Sequence, residues 1–182
     1  MTRVGERPLV AVLVGTDHHP FDRLVSWSLR LAAEGWAEWF VQFGSTPWPS
    51  SPPDGVRGSR LLAGGELLDL VGDAGCVVCH AGPGLLMDAA GAGHRPVVVP
   101  RDPARGEHVD GHQMLFTRRM AATGKVAAAH DLSTLRARIQ EALAQPARAI
   151  GPGGTGRTDA VCGRLAALVE DVVAARNPVQ VR

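Results

Sequence analysis

The stretch that most constrains the fold runs from Cys76 to Gln113. It opens with a short apolar run at Cys76–Cys79, crosses a Gly-Pro-Gly turn, continues through the helix-compatible segment Leu85–Ala90, and re-enters a β-branched run at Val97–Val99. That order predicts two parallel strands joined by one crossover helix. Open sheets of this kind bind their ligands at the carboxyl ends of the strands, so we expect a ligand site at the Gly-Pro-Gly turn.

The same alternation of strand and helix extends over the rest of the chain. Strands are predicted at Leu9–Val14, Trp39–Phe43, Arg60–Leu62 and Lys125–Ala128, and helices at Phe21–Glu34, Glu66–Val71, Asp110–Ala122 and Leu132–Leu143. Residues 44–58 carry four prolines and three glycines and are expected to form an irregular loop. Repeated strand–helix units with β-branched strands indicate an α/β fold with a doubly wound, Rossmann-like, mostly parallel sheet.

Chain length and the C-terminal pattern set the expected domain organisation. At 182 residues the chain suits one domain, which we place at residues 1–150. Residues 151–182 are expected to contain a Gly-rich linker, Gly151–Gly156, and an amphipathic helix, Thr158–Arg176, with one apolar stripe.

Composition excludes several classes of function. Nineteen basic residues against 18 acidic ones give a net charge of +1, so the basic footprint of a nucleic-acid-binding protein is absent. The apolar run Leu9–Val14 is too short to span a membrane, and Gly15-Thr16-Asp17-His18 follows it rather than a cleavage site. Three cysteines, an odd number, do not suggest a disulfide framework. We expect a cytoplasmic protein.

The turn Gly82-Pro83-Gly84 is a candidate anion site. Glycines allow close approach of a diphosphate, Pro83 fits the first helical position, and the first helical amides have no partner within the helix. Asp88 lies one helical turn beyond Gly84 on the same face, where a carboxylate can accept hydrogen bonds from a ribose. Met87 replaces the third glycine of a dinucleotide fingerprint, which disfavours a classical NAD site. An ordinary tight turn is an equally good interpretation of these residues alone.

A second group of polar residues follows the strand at Val97–Val99. His108 and His112 are four residues apart, a spacing used by metal ligands on a helix, but Gly111 lies between them and no metal is expected. From these residues alone, a solvated loop is the leading interpretation. His18 and His19 follow the first strand, where an imidazole can act as a general base. Cys76 and Cys79 are three apart on a strand and so face opposite sides, which excludes a redox pair.

Four ordered motifs together resemble one known family. They are Val14-Gly15-Thr16 with Pro20-Phe21-Asp22-Arg23-Leu24, then Val41-Gln42-Phe43-Gly44, then His80-Ala81-Gly82-Pro83-Gly84 with Asp88, and finally Asp110-Gly111-His112-Gln113. The set resembles the C-terminal, nucleotide-sugar-binding domain of family 28 glycosyltransferases, and most closely the short members of two-subunit enzymes that elongate lipid-linked sugars. It covers the chain from about Val10 to Val126. The resemblance implies the fold of the C-terminal, donor-binding half of a GT-B glycosyltransferase.

The resemblance also implies site residues. Nucleotide-sugar contacts are expected from Gly15, Thr16, His80, Gly82, Pro83, Gly84, Asp88, Asp110, His112 and Gln113. His18 is the expected catalytic base, although the family often has a histidine at the position of Asp17. The family commonly has Ser or Thr at the position of Leu85 and Glu at the position of Asp88, so one hydroxyl contact is missing and the acidic side chain is shorter.

What the resemblance implies about function is a catalytic subunit that binds a UDP-sugar. It would transfer the sugar with inversion to a polyprenyl-diphosphate-linked acceptor during polysaccharide assembly, with no cofactor. The acceptor-binding half would be a separate, membrane-anchored polypeptide that holds this chain at the inner face of the membrane. Two alternatives remain: a nucleotide-sugar-binding module without activity, and an NAD- or flavin-binding oxidoreductase.

Overall fold

Six parallel strands form one sheet in the part of the chain that the computed structural model describes, residues 7–145. In chain order they are β1 Leu9–Leu13, β2 Glu38–Gln42, β3 Val56–Ser59, β4 Cys76–Cys79, β5 Val97–Val98 and β6 Ala127–Ala128. Across the sheet the order is β3-β2-β1-β4-β5-β6, and each neighbouring pair is parallel. The direction of winding reverses between β1 and β4, and that switch point is where open α/β sheets bind ligands.

Helices cover both faces of this sheet. They are α1 Asp22–Ala32, α2 Gly64–Asp73, α3 Pro83–Gly91, α4 His112–Ala122 and α5 Leu132–Ala144, with a short 3-10 turn at Pro103–Arg105. Side chains of α1 and α5 pack on one face together with Val10 and Val12, and those of α2, α3 and α4 pack on the other with Ala11 and Leu13. Because successive residues of β1 point to opposite faces and both sets are buried, the strand is apolar throughout. The doubly wound α/β fold predicted from the sequence is confirmed.

The two cysteines of β4 illustrate the same alternation. Cys76 belongs to the core beneath α1 and α5, whereas Cys79 belongs to the opposite core. Burial raises the pKa of each thiol to about 12, so both are protonated. The prediction that they face opposite ways is confirmed, and both are free thiols.

One strand was wrongly placed by the sequence pattern. The loop expected over residues 44–58 gives way to β3 at Val56–Ser59, and the strand expected at Arg60–Leu62 is not formed. Within residues 7–145, β3 is an edge strand whose one paired neighbour is β2, and of its four residues only Val56 is buried, so it lacks a hydrophobic pattern. Gly58 is required there because a Cβ would lie 2.5 Å from the Trp48 ring, which packs against the strand.

Several predictions fall outside the described residues. The domain limit at residue 150, the linker Gly151–Gly156 and the helix Thr158–Arg176 all lie there and stay predictions. Among residues 7–145, no helix has the length and apolar character needed to cross a membrane.

Candidate functional site

The segments that follow β1, β4 and β5 meet at the switch point of the sheet. His80, directly after β4, places its ring between the two glycines that open the turns on either side. A Cβ at Gly15 would lie 2.4 Å from the His80 ring, and a Cβ at Gly82 would lie 2.2 Å from its Nε2. Gly15 also has φ +84°, a backbone conformation that favours glycine. The two glycines therefore make room for the imidazole.

His80 is held in its neutral form. Burial lowers its pKa to about 4, and the nearby positive charge of Arg101 acts in the same direction. Its Nδ1 is buried without a hydrogen-bond partner among the described residues. The imidazole at the switch point is therefore polar but uncharged.

The turn after His80 leaves the N-terminus of α3 open. Gly82 is the N-cap and provides no side-chain cap, Pro83 is the first helical residue, and the amides of Gly84 and Leu85 have no acceptor within a helix that starts there. A Cβ at Gly84 would meet nothing within 4 Å. An α-helix that begins with uncapped, accessible amides attracts an anion such as a phosphate.

Asp88 lies in the second turn of α3, on the face that also carries Gly84. The opposite face of the helix buries Leu86 and Ala89 against the sheet, whereas Asp88 is half-buried. Gly84 and Asp88 therefore lie one helical turn apart on the more accessible face of α3, and their binding of a phosphate and a ribose stays a prediction.

The loop after β1 contains a carboxylate and two histidines in different environments. Asp17 Oδ1 accepts hydrogen bonds from the backbone N–H and from Nδ1 of His19, each at 2.7 Å. Burial alone would raise the pKa of Asp17, but these bonds and the charge of Arg101 outweigh it and lower the pKa to about 2. The His18 side chain is 85% exposed and lies 3.7 Å from the same oxygen. Thr16, between Gly15 and Asp17, is exposed.

The loop after β5 contributes a second histidine–aspartate group. His108 Nδ1 lies 3.7 Å from Asp110 Oδ1, and His112 Nδ1 contacts the same oxygen. The rings of His108 and His112 are 4.7 Å apart, edge to face. His108 Nε2 lies 3.6 Å from Asp17 Oδ2, so the two loops meet through this pair. The structure therefore brings together Asp17, His18, His19, His108, Asp110 and His112.

Gln113 differs in position from its neighbours in the sequence. Its side chain is buried, and its Oε1 accepts a hydrogen bond from the Arg101 backbone N–H at 3.3 Å. This hydrogen bond fixes the first turn of α4, which contains Gln113, against the segment that follows β5. The amide nitrogen remains the group that a sugar hydroxyl could meet.

Sequence reasoning missed Arg101, which holds the two loops together. Its guanidinium is fully buried and donates to the carbonyl oxygens of Val14, His19 and Glu107 at 2.9, 2.8 and 3.0 Å, with Pro20 O at 3.4 Å. It also lies over the Phe21 ring, 4.7 Å from the centroid. The sequence shows that Arg101 comes two residues after the β-branched run Val97–Val99, at the ligand edge of the sheet. A buried cation needs many acceptors, but main-chain carbonyl oxygens leave no mark in the sequence, so its role could not be predicted.

Two polar side chains of the recognised motifs hold neighbouring segments of the site together. Gln42 Oε1 accepts from Gly15 N–H at 2.9 Å, while its Nε2 donates to Gly15 O at 3.0 Å and to Arg60 O at 2.9 Å. Arg23, on α1, forms a bidentate pair with Glu107 at 2.8 and 2.6 Å. Both polar side chains lie in the recognised motifs, but only the fold shows what they bind.

A known family model matches most of the chain. Residues 9–152 match the model of the glycosyltransferase family 28 C-terminal domain. No curated protein sequence gave a significant match.

Similar solved structures carry the same fold at low sequence identity. The glycotransferase of kitacinnamycin is 18% identical with TM-score 0.60, and covers 93% of this chain and 40% of its own. CalG4, the calicheamicin glycosyltransferase, is 13% identical with TM-score 0.58, and the match covers 99% of this chain and 41% of CalG4. ALG13 is 16% identical with TM-score 0.54, and the match covers 88% of this chain and 98% of ALG13. The chain thus spans about two fifths of the length of the first two structures.

The fold, the open helix N-terminus at the switch point and the family match agree. The sheet and its helices correspond to the Rossmann-like C-terminal half of a GT-B glycosyltransferase. With more than half of its length matched by the family model, the chain belongs to glycosyltransferase family 28.

Proposed function

We propose that this chain binds a UDP-sugar and transfers the sugar, with inversion, to a polyprenyl-diphosphate-linked acceptor in exopolysaccharide assembly. The observation that carries the proposal is the uncapped N-terminus of α3, which opens at the switch point beside the neutral His80 ring. Family membership supports sugar transfer in general. The acceptor and the pathway come from the resemblance to the short family members.

The donor is assigned to the α3 turn and the loops beside it. The backbone N–H groups of Gly84 and Leu85, after the turn Gly82-Pro83-Gly84, would donate to the diphosphate, and Asp88 would accept hydrogen bonds from the ribose. The donor sugar would then meet Asp110, His112 and the amide of Gln113. Gly15 and Thr16 complete the opposite side of the site.

Leaving-group stabilisation in this scheme requires no metal. As the bond to the sugar breaks, negative charge develops on the UDP diphosphate, where the helix amides already point. Donors fixed in place before the reaction stabilise such charge without reorganising during it. Divalent cations are therefore not required for transfer.

The general base is one of two adjacent histidines. The sequence pointed to His18, but its side chain is largely exposed. His19 is 22% exposed and its Nδ1 is bonded to Asp17, which leaves Nε2 free to accept a proton from an acceptor hydroxyl. We therefore propose His19 as the base, with Asp17 fixing its orientation. His19→Asn should reduce turnover far more than His18→Asn, by roughly 10²–10⁴-fold. The opposite ranking would return the role to His18.

In this proposal the active site lies in a cleft between two domains, and a partner subunit supplies the acceptor-binding one. Two of the similar glycosyltransferases are more than twice as long as the matched region, whereas ALG13 is covered over 98% of its length. We propose that a membrane-anchored subunit binds the lipid-linked acceptor and holds this chain at the cytoplasmic face of the membrane. Transfer by the purified chain alone to a lipid-linked acceptor would refute this part.

Ligand stabilisation is the first experiment. Thermal unfolding with UDP, GDP, dTDP and NAD should show stabilisation by UDP above the other three. Equal or greater stabilisation by NAD would favour the oxidoreductase alternative.

Calorimetry with UDP then tests the ribose contact. Since a hydrogen bond to a charged group contributes about 1.5–3 kcal/mol, Asp88→Ala should weaken binding roughly 10- to 150-fold. Asp69→Ala removes an exposed carboxylate from α2 and is the matched control. Equal affinities in the two variants would exclude Asp88 from the site.

A further inference from the structure

The loop after β5 brings three metal-ligating side chains to one point. The candidate ligand atoms of His108, Asp110 and His112 all lie within 4.8 Å of one another. His108 Nδ1 is 3.7 Å from Asp110 Oδ1, which His112 Nδ1 contacts from the other side. Tetrahedral ligands at about 2.1 Å from a zinc ion lie about 3.4 Å apart, so small side-chain movements would bring the three to coordinating distance.

A second carboxylate supports this group from outside. His108 directs Nδ1 toward Asp110 and Nε2 toward Asp17 Oδ2, at 3.6 Å. Histidine ligands of metals usually donate their other ring N–H to a carboxylate, which fixes the tautomer that coordinates. Asp17 Oδ2 lies a few tenths of an ångström beyond hydrogen-bond distance from His108 Nε2, so a small movement would complete this contact. The His108 side chain is only 13% exposed and so is held in position. Asp110 and His112 are more exposed, which gives an ion a route to the group.

The neighbouring trio Asp17, His18 and His19 is a weaker candidate. Its ligand atoms also lie within 4.8 Å of one another. In both trios the aspartate Oδ1 accepts the backbone N–H and the Nδ1 of one histidine, so that feature does not separate them. The difference lies in the other histidine, because the His18 side chain is 85% exposed whereas that of His108 is 13% exposed and lies between two carboxylates.

We propose that His108, Asp110 and His112 form a binding site for a divalent transition-metal ion, with Zn²⁺ as the reference ion. Two imidazoles and one carboxylate favour Zn²⁺ and its neighbours over Mg²⁺ or Ca²⁺, which prefer all-oxygen sites. Three protein ligands leave the fourth position of a tetrahedral ion open to water.

The site is inhibitory rather than catalytic, and this part rests on the proposed function. Asp110 and His112 are the side chains assigned to the donor sugar, so an ion that they coordinate excludes those contacts. Zn²⁺ should therefore compete with the sugar donor, while transfer itself proceeds without metal.

The sequence disfavoured this site because Gly111 interrupts the spacing from His108 to His112. In the structure Gly111 is the N-cap of α4 and His112 is its first residue. The two rings meet across a turn rather than on one helix face. Their distance therefore does not depend on a helix running through Gly111.

Metal binding is measured directly, with ZnCl₂ or CoCl₂ and no nucleotide. The tag-free full-length chain should bind one Zn²⁺ in calorimetry, and Co²⁺ should give the visible absorption of a tetrahedral site. The double variant His108→Asn/His112→Asn should lose that absorption and weaken Zn²⁺ binding by at least tenfold. Asp17→Asn should weaken it by roughly 10- to 100-fold. His130→Asn, which removes an exposed histidine before α5, should change neither measurement.

Specific outcomes would overturn the assignment. Absence of a tetrahedral Co²⁺ spectrum, or unchanged Zn²⁺ affinity in the double variant, excludes the site. If Zn²⁺ binding is lost in His18→Asn/His19→Asn but retained in His108→Asn/His112→Asn, the ion belongs to the trio of Asp17, His18 and His19 instead. Because these measurements need no donor or acceptor, they remain informative if the proposed transferase activity is wrong. Zn²⁺ inhibition that excess donor does not relieve would reject the competitive role alone.

Discussion

His80 should make the protein sensitive to acid, and the size of the effect follows from its pKa. In the folded chain that pKa is about 4, against 6.5 for an ordinary histidine. Between these values the unfolded chain binds a proton that the folded chain does not, so the free energy of unfolding falls as pH falls through this window. A difference of about 2.5 units corresponds to about 3 kcal/mol in total, of which about 2 kcal/mol is lost by pH 5.

Urea unfolding at pH 7 and pH 5 measures this loss. His80→Asn removes the titrating group, so the variant should be less stable at pH 7 but should lose about 2 kcal/mol less than the parent between the two pH values. His130→Asn, at an exposed position, serves as the control and should follow the parent. Parallel losses in the parent and His80→Asn would show that the ring is not held neutral by burial between Gly15 and Gly82.

Four further predictions concern the same site. Gly82→Ala should lower the free energy of unfolding by about 1–3 kcal/mol, measured by thermal melts, because its Cβ would clash with His80. Gly84→Ala, whose Cβ meets nothing within 4 Å, should instead stabilise α3 by up to about 1 kcal/mol and yet weaken UDP binding in calorimetry. Arg101→Lys should lower stability by about 3–5 kcal/mol in urea unfolding, since one ammonium cannot replace a guanidinium that contacts four carbonyl oxygens. Sugar transfer should persist in excess EDTA, and its loss with recovery on adding one metal would contradict the metal-free scheme.

Strands buried on both faces were predictable because their sequences are apolar throughout. Val10 to Leu13 and Cys76 to Cys79 show no alternation, and both strands lie at the centre of the sheet. Edge strand β3 escaped prediction because three of its four residues are not buried and its pairing with β2 depends on backbone hydrogen bonds. An apolar sequence pattern indicates buried side chains, and this edge strand has only one.

The site was predictable where it depends on backbone shape. The glycines and proline of the α3 turn predict a strand-to-helix turn whether or not it binds an anion, and the structure places that turn at the switch point as expected. Arg101 and Gln42 could not be assigned because their partners are carbonyl and amide groups of the main chain, which carry no sequence signal. The contact between His108 and Asp17 joins residues 91 positions apart and likewise appears only in the fold.

Gln42 makes the turn at Gly15 and the turn that opens α3 differ in their ability to donate a glycine N–H to an anion. Its side-chain amide occupies both the N–H and the carbonyl of Gly15, as a neighbouring strand would. The N–H of Gly15 is therefore already engaged and cannot bind an anion, whereas the N–H of Gly84 has no acceptor within α3. Of these two glycines, Gly84 alone offers its main-chain donor to a phosphate, which directs the negatively charged end of a nucleotide to the α3 side of the switch point.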